Sequence, residues 1–267
     1  MVESVILKNC IALDYDFQPK QLPFREKQYK QIIKIINSFE YGKKENILVY
    51  GSSDTEKLHA VKSVLNDYDE KLDHFLTFYI NCLSKNNLSS IIMEMCDILD
   101  YKKVRNMQIN ELFGIIKKSL QGRNTLFIFD GIENLRDFQI LEMICKEVDK
   151  KLIILITDNK QFFDNNIKSM LKVKNVEFKP YNLKEIKGVF KQRIDFALYP
   201  NVLDSDAFDL ITKKSFEIGS LKVGLSILRK ACIEAEMKGL DKITKLDIQR
   251  AINNDNTILC DVIKRRV

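Results

Sequence analysis

The stretch VYGSSDTEKLHAV, residues 49–61, contains a glycine and a lysine at the spacing of a phosphate-binding loop. The full pattern is G-x-x-x-x-G-K-[ST], in which glycines let backbone N–H groups surround the phosphates, the lysine reaches the terminal phosphates and a hydroxyl binds Mg²⁺. Gly51 and Lys57 match this pattern, whereas Glu56 stands at the second glycine and Leu58 at the hydroxyl position. The residues therefore indicate a nucleotide site that has lost part of its machinery.

Two acids in the same loop oppose nucleotide binding. Asp54 and Glu56 place carboxylates where a polyphosphate would lie. At a separation of ~5 Å and an effective dielectric constant of ~20, each carboxylate repels a phosphate charge by roughly 3 kcal/mol. We interpret the loop as the relic of a nucleotide site. The sequence predicts no bound cofactor and leaves weak binding of ATP or ADP open.

A second candidate is Asp130, which ends the apolar run LFIFD. A carboxylate at the tip of a buried strand is where Mg²⁺ is held in the Walker B arrangement. Hydrolysis also needs an adjacent glutamate to activate water, but Gly131 occupies that position and Glu133 follows two residues later. The alternative, that Asp130 only caps a turn, stays open.

The elements that position these residues alternate in type up to residue 179. Apolar runs predict strands at 46–50, 76–81, 125–130, 152–157 and 175–178, and periodic patterns predict helices at 25–39, 57–67, 88–99, 109–121, 135–149 and 162–171. Continuous Ile, Leu and Phe content is typical of strands buried on both faces of a parallel sheet. The order predicts an α/β fold with a three-layer αβα base and a five-stranded parallel sheet.

After Pro180 only helical patterns follow, at 183–198, 205–217, 220–238 and 244–254. Asp204 is the expected N-cap of the second of these helices. Thr244 and Asp247 have the spacing of a capping box for the last one. A small all-α lid is therefore predicted after the base in the sequence.

Composition excludes several classes of site. The chain carries 43 basic and 37 acidic residues, a net charge of +6 that permits contact with nucleic acid without requiring it. Two histidines and six cysteines without a C-x-x-C pair argue against zinc sites and histidine triads. No secretory signal or membrane-length apolar run is present, so we expect an intracellular protein with no membrane partner.

The order of further segments resembles the origin-recognition and replication-licensing initiators, a clade of AAA+ ATPases. The resemblance begins with LDYDFQPKQLPFREKQYKQI (13–32) and continues through YINCLS (79–84), FIFDGIE (127–133), LIILITDN (152–159), FKPYNLKEIKGVFKQRID (178–195), VLDSDAFDLI (202–211) and IGSLKVGLSILRKACIEAE (218–236). It implies an N-terminal segment (1–24), an AAA+ base (25–179) with a helical insertion near 86–110, a lid (180–255) and a tail (256–267). The sequence ends at Val267, where the winged-helix domain of the family would begin, so we expect that domain to be absent from these 267 residues; whether the natural protein is this short or continues into such a domain stays open.

The resemblance also assigns roles to positions. Gly51, Lys57 and Asp130 match the vestigial nucleotide site, and Lys222 replaces the second-sensor arginine without its bidentate fork. The first sensor, usually asparagine, is Asp158, and Asn166 stands where the trans-acting arginine is expected. These departures imply a pseudo-ATPase that works in replication initiation without turnover. We also hypothesise that Lys57, freed from phosphate, pairs with Asp130 or a loop carboxylate.

Family members contact DNA through the insertion, and here Lys102, Lys103 and Arg105 are expected at its tip. Three cations support only weak, sequence-independent DNA binding, and an ordinary solvated turn is the alternative. The expected protein partners are other AAA+ initiator subunits or chromatin proteins. The expected location is the nucleus in a eukaryote, or the cytoplasm and nucleoid in an archaeon.

Two other functions stay open. One is a silencing-type chromatin scaffold of the same ancestry. The other is an active ATPase in which Asp54 and Glu56 fold away and Lys57 works alone.

Overall fold

The computed structural model of the chain describes residues 5–17, 19, 21–67, 75–104, 106–162 and 169–254. The described residues form two compact units. An α/β unit comprises Arg25–Ser52 and Glu56–Lys179. A helical unit comprises the residues up to Phe24, the three loop residues Ser53–Thr55 and the residues from Pro180 onward.

The α/β unit is built on a five-stranded sheet in the order β2-β3-β4-β1-β5, in which every pair of neighbours is parallel. Its strands are β1 (Asn46–Tyr50), β2 (Phe75–Asn81), β3 (Asn124–Asp130), β4 (Lys151–Thr157) and β5 (Val173–Glu177). The central strands β3 and β4 are buried along nearly their whole length. This confirms the prediction of a parallel sheet covered on both faces.

Helices of the α/β unit are α1 (Glu26–Glu40), α2 (Lys57–Asp67), α3 (Leu88–Ile98), α4 (Ile109–Leu120) and α5 (Gln139–Glu147). Helix α5 begins four residues later than predicted, because a short 3₁₀ turn, Ile132–Asn134, follows β3. Helices α3 and α4 lie between β2 and β3, where the helical insertion is expected. The predicted helix at 162–171 falls largely outside the described residues.

Helices of the helical unit are α6 (Leu183–Ala197), α7 (Ser205–Ile218), α8 (Leu221–Met237) and α9 (Lys245–Asn253). The predicted capping box of α9 is confirmed, since Thr244 and Asp247 exchange side-chain and backbone hydrogen bonds. Asp204 occupies the N-cap of α7, but its side chain makes no capping hydrogen bond. Its backbone N–H donates to the carbonyl of Ile243 at 3.1 Å, and the predicted N-cap position is confirmed.

The N-terminal residues are part of the helical unit. Leu7 forms an antiparallel bridge with Leu198. The side chain of Arg193 is fully buried and donates to the carbonyls of Ala12, Asp14 and Tyr15 at 3.3–3.5 Å. Burying a guanidinium is costly unless it is hydrogen-bonded, so these carbonyls tie the N-terminal segment to α6.

Within the described ranges, no helix has the length and apolar character needed to cross a membrane.

Candidate nucleotide site

The loop between β1 and α2 keeps a backbone path that glycine favours, although acids stand at two of its left-handed positions. Asp54 has φ 60° and Glu56 has φ 61°, both in the left-handed region. Side chains adopt this conformation at a cost of order 1 kcal/mol, which glycine avoids. The two acids therefore add negative charge to the loop while its turn stays in place.

Gly51 is required because it packs closely against the segment that follows β5. A Cβ atom at this position would lie 2.1 Å from the carbonyl oxygen of Phe178, which follows β5. The Phe178 N–H also donates to the carbonyl of Tyr50 at 2.8 Å. The first glycine of the loop thus has a structural role that does not depend on a phosphate.

Lys57 begins α2 and turns back into its own loop. Its Nζ donates to the carbonyls of Gly51 at 2.9 Å and Ser52 at 2.8 Å, and lies 2.7 Å from Oδ1 of Asp158. The side chain is only 6% exposed. An ammonium group has three donors, and these three contacts can engage all of them. The lysine that would neutralise phosphate is held by the protein.

The acid that pairs with Lys57 is neither Asp130 nor an acid of its own loop. The hypothesis offered Asp130 or a loop acid, and the ion pair is formed by Asp158, the residue after β4. Asp130 instead accepts a hydrogen bond from the hydroxyl of Tyr79 at 2.9 Å. Strand β4 lies between β1 and β3 in the sheet, so its terminal acid lies nearer to the loop that follows β1.

Asp130 is a partly buried acid at the end of β3. Burial raises its pKa, although the hydrogen bond from Tyr79 and the charge of Lys62 oppose the rise. Burial, followed by the charge of Asp130, likewise raises the pKa of the Tyr79 hydroxyl, and it raises that of the Cys82 thiol to about 12. The surroundings of Asp130, Tyr79 and Cys82 therefore favour the protonated, neutral forms of these side chains.

The position after Asp130 has a conformational reason to be glycine. Gly131 has φ 68°, and a Cβ there would lie 2.9 Å from Nδ2 of Asn134. A glutamate at this position would be strained. Glu133, the nearest acid in sequence, accepts a hydrogen bond through Oε1 from the Asp158 N–H at 3.2 Å. Its carboxylate is thereby oriented by the backbone that follows β4.

The acids of the loop are also held by the protein. The Asp54 carboxylate accepts a hydrogen bond from the hydroxyl of Ser220, the N-cap of α8, which belongs to the same compact unit as Asp54. Glu56 is 3% exposed, and Leu58 offers no oxygen for a metal. Among the described residues, no group of three or more His, Cys, Asp and Glu side chains has the geometry of a metal site. These residues do not fit a magnesium triphosphate.

The remaining predicted site residues lie elsewhere. Lys222 is on α8 and lines a cavity of about 410 Å³ together with Asp14, Phe17 and Arg229. Lys102 and Lys103 are exposed in the turn between α3 and α4, where Lys102 pairs with Asp100 at 3.1 Å. Arg105 and Asn166 lie outside the described residues.

Gly51 follows β1 and Asp130 ends β3, so both lie at the carboxyl edge of the sheet, with β4 between their strands, and Lys57 begins the helix that follows the loop. Sequence reasoning missed two partners, Asp158 for Lys57 and Tyr79 for Asp130. Both lie at or near the carboxyl ends of strands adjacent to those of the motifs, so the strand order of the sheet is the signal that would have found them.

Comparison with known proteins gives matches along most of the chain. Residues 187–253 match the family of Cdc6 AAA+ ATPase-type lid domains. ORC1-type DNA replication protein 1 of Sulfurisphaera tokodaii is 29% identical over 265 residues, covering 93% of this chain and 67% of the relative. ORC1-type DNA replication protein 2 of Thermoplasma acidophilum is 25% identical over 263 residues, covering 92% and 65%. The chain thus spans about two thirds of the length of these curated relatives.

Solved structures share the fold. The Aeropyrum pernix ORC1 protein in complex with DNA superimposes with a TM-score of 0.83 at 20% identity, covering 94% of this chain and 70% of that one. Cdc6p from Pyrobaculum aerophilum gives a TM-score of 0.81 at 18% identity, covering 92% and 71%. The parallel sheet, the lid match and the archaeal relatives agree with one another. Over most of its length the chain is therefore similar to the ORC1/Cdc6-type AAA+ replication initiators.

Proposed function

We propose that this chain is a replication initiator of the ORC1/Cdc6 type that acts through protein and DNA contacts and does not turn over ATP. The observation that carries the proposal is the environment of Lys57. Its ammonium group is buried and held by two loop carbonyls and Asp158. Binding of a triphosphate would have to break these contacts and also overcome the repulsion of Asp54 and Glu56.

Loss of turnover is further supported at the end of β3. The general-base position next to Asp130 is Gly131, whose backbone has φ 68°. Lys222 supplies a point charge at the second-sensor position, without the bidentate donors of an arginine. Each change removes an interaction that would act on the terminal phosphate. The function that remains is to present surfaces to partners.

DNA and fellow initiator subunits are the partners we propose. The Aeropyrum pernix ORC1 protein was solved in complex with DNA, and Drosophila ORC was solved bound to DNA. In this chain the exposed Lys102 and Lys103 are candidates for phosphate contact. Contacts of this kind position a protein on the duplex without reading sequence.

The test is titration calorimetry of the 267-residue chain with magnesium–ATP and with magnesium–ADP. A matched variant, Asp54→Gly/Glu56→Gly/Leu58→Thr, rebuilds the full G-x-x-x-x-G-K-T pattern around the same lysine. We expect no heat for the wild type up to millimolar nucleotide and measurable binding by the rebuilt variant. Micromolar binding by the wild type, or turnover abolished by Lys57→Ala, would refute the proposal and favour an active ATPase.

A further inference from the structure

Exposed cations collect at the amino edge of the sheet, the edge opposite to the phosphate-type loop. In a parallel sheet all strands begin at one edge, and β3, β4, β1 and β5 are consecutive neighbours. Strands lie about 4.8 Å apart, so the four strand starts span roughly 15 Å. The exposed cations that immediately precede these starts are Lys43, Lys44, Arg123, Lys150 and Lys172. We call these five residues the amino-edge cluster.

Backbone and side-chain hydrogen bonds fix the chain at this edge. The N–H of Thr125 donates to the carbonyl of Lys150 at 2.9 Å, and the N–H of Asn46 donates to the carbonyl of Lys172 at 3.4 Å. The Asn46 side chain also accepts from the N–H of Ile153 at 2.9 Å, which joins the start of β1 to β4. The cations are therefore carried by an ordered edge with a set spacing.

The acids nearest to this edge are largely matched by other lysines. Glu45 pairs with Lys174 at 3.4 Å, and Glu147 pairs with Lys117 at 3.1 Å. Within the described ranges, the five members of the amino-edge cluster form no ion pair with an acid. Asp149, an exposed acid that directly precedes Lys150, offsets part of the positive charge, and the described residues around the cluster leave an excess of cations at this edge. Residues 68–74, which precede β2, lie outside the described part and do not enter this balance.

Two neighbouring residues, Lys151 and Tyr41, describe the surroundings of the cluster. Burial lowers the pKa of Lys151 and the charge of nearby Lys44 lowers it further, whereas the charges of Cys145 and Asp149 raise it. Tyr41, in the turn that carries Lys43 and Lys44, is 87% exposed.

We propose that the amino-edge cluster is a DNA-contact surface, separate from the turn that carries Lys102 and Lys103, that binds the phosphate backbone without reading sequence. The inference rests on the proposed function, in which the chain contacts DNA, and adds a surface that this function does not include. A row of about 15 Å matches roughly four base pairs of duplex at 3.4 Å per step. The cluster contains only Lys and Arg, which contact phosphates, and no amide or carboxylate side chain that could read the edges of bases. We therefore expect binding that is independent of DNA sequence.

The test compares three variants of the full chain by fluorescence anisotropy with a labelled 30-base-pair duplex of random sequence, titrated across NaCl concentrations. The edge variant replaces Lys44, Arg123, Lys150 and Lys172 by Gln. The matched control replaces four exposed lysines of the helical unit by Gln, namely Lys184, Lys191, Lys213 and Lys242. A third variant carries Lys102→Gln/Lys103→Gln. All substituted residues are exposed, so folding should be retained, and circular dichroism verifies it.

Each phosphate contact contributes about 0.9 to the slope of log affinity against log salt concentration. A tenfold drop in salt, from 1 M to 0.1 M, therefore raises the affinity by roughly eightfold for each contact. We expect the edge variant to lose about two contacts, a drop of roughly 60-fold at 0.1 M with a shallower slope, while the control keeps the wild-type slope. Equal losses in edge variant and control would overturn the proposal, because net charge alone would explain them.

Two further outcomes separate this proposal from the proposed function. If only the Lys102→Gln/Lys103→Gln variant loses affinity, the amino-edge proposal is wrong and DNA contact through the turn stands. If the wild type binds polyglutamate through the edge residues and shows no affinity for the duplex, the surface recognises an acidic protein, which overturns the assignment to DNA. Loss of affinity confined to the edge variant would establish the surface.

Discussion

Replacing Lys57 by Met should destabilise the protein in the absence of any nucleotide. In a site built for phosphate, the lysine faces the ligand and its loss affects binding. Here its ammonium group contacts the carbonyls of Gly51 and Ser52 and the carboxylate of Asp158. Removing it leaves those three acceptors without their shared donor, so the cost falls on folding.

The magnitude follows from how exposed each acceptor is. A hydrogen bond from a charged donor contributes about 1.5–3 kcal/mol, but an acceptor that can be rehydrated loses much less. Ser52 is an exposed residue, and the Asp158 side chain is 50% exposed, so the ion pair itself contributes at most about 1 kcal/mol. We expect a total loss of about 2 kcal/mol. At 2–4 °C per kcal/mol for a chain of this size, Tm should fall by about 4–8 °C.

Differential scanning calorimetry of the nucleotide-free protein measures this loss. Lys30→Met, an exposed lysine on α1, is the matched control and should leave Tm within about 1 °C. Asp158→Ala should cost less than Lys57→Met, because it removes one of the three contacts. If Lys57→Met leaves Tm unchanged or raises it, the lysine does not hold the loop together and the reasoning is refuted.

Three more outcomes are expected. Because the pKa of Asp130 is raised in the folded state, the free energy of unfolding should fall as pH rises from about 4 through that pKa. Asp130→Asn keeps an acceptor for the Tyr79 hydroxyl and should remove this fall, as measured by urea unfolding at several pH values. Gly51→Ala should cost at least about 2 kcal/mol in chemical denaturation, because its Cβ would meet the backbone of Phe178, and a cost below about 1 kcal/mol would contradict the geometry. Arg193→Leu should lower the free energy of unfolding by about 2 kcal/mol or more by orphaning buried carbonyls, and an unchanged value would argue against their role.

The sheet was predictable because the apolar runs are short and continuous. Each predicted strand lies within two residues of the observed one, since a run of Ile, Leu and Phe buried on both faces leaves little freedom in its limits. Helix boundaries were less certain. The start of α5 was predicted too early because Gly131, in the left-handed conformation, directs the chain into a 3₁₀ turn before the helix begins. Asp204 was correctly placed as the N-cap residue of α7, although its side chain makes no capping hydrogen bond.

The candidate site was predictable as a set of positions and less so as a set of contacts. The spacing of Gly51 and Lys57 located the loop, and the end of β3 located Asp130. The partner of Lys57 was not predictable from the loop itself, since Asp158 follows a strand about a hundred residues later in the chain. Which strand lies beside β1 decides the pairing, and that order is a property of the folded sheet.

The burial of Arg193 has a consequence for dividing the protein into fragments. A polypeptide limited to residues 180–254 would contain this guanidinium without the carbonyls of Ala12, Asp14 and Tyr15 that receive it. It would also lack Leu7, the bridge partner of Leu198. The smallest autonomously folding version of the helical unit therefore has to include a piece from each end of the sequence. Limited proteolysis that removes the first fifteen residues should weaken helices whose own peptide bonds remain uncut.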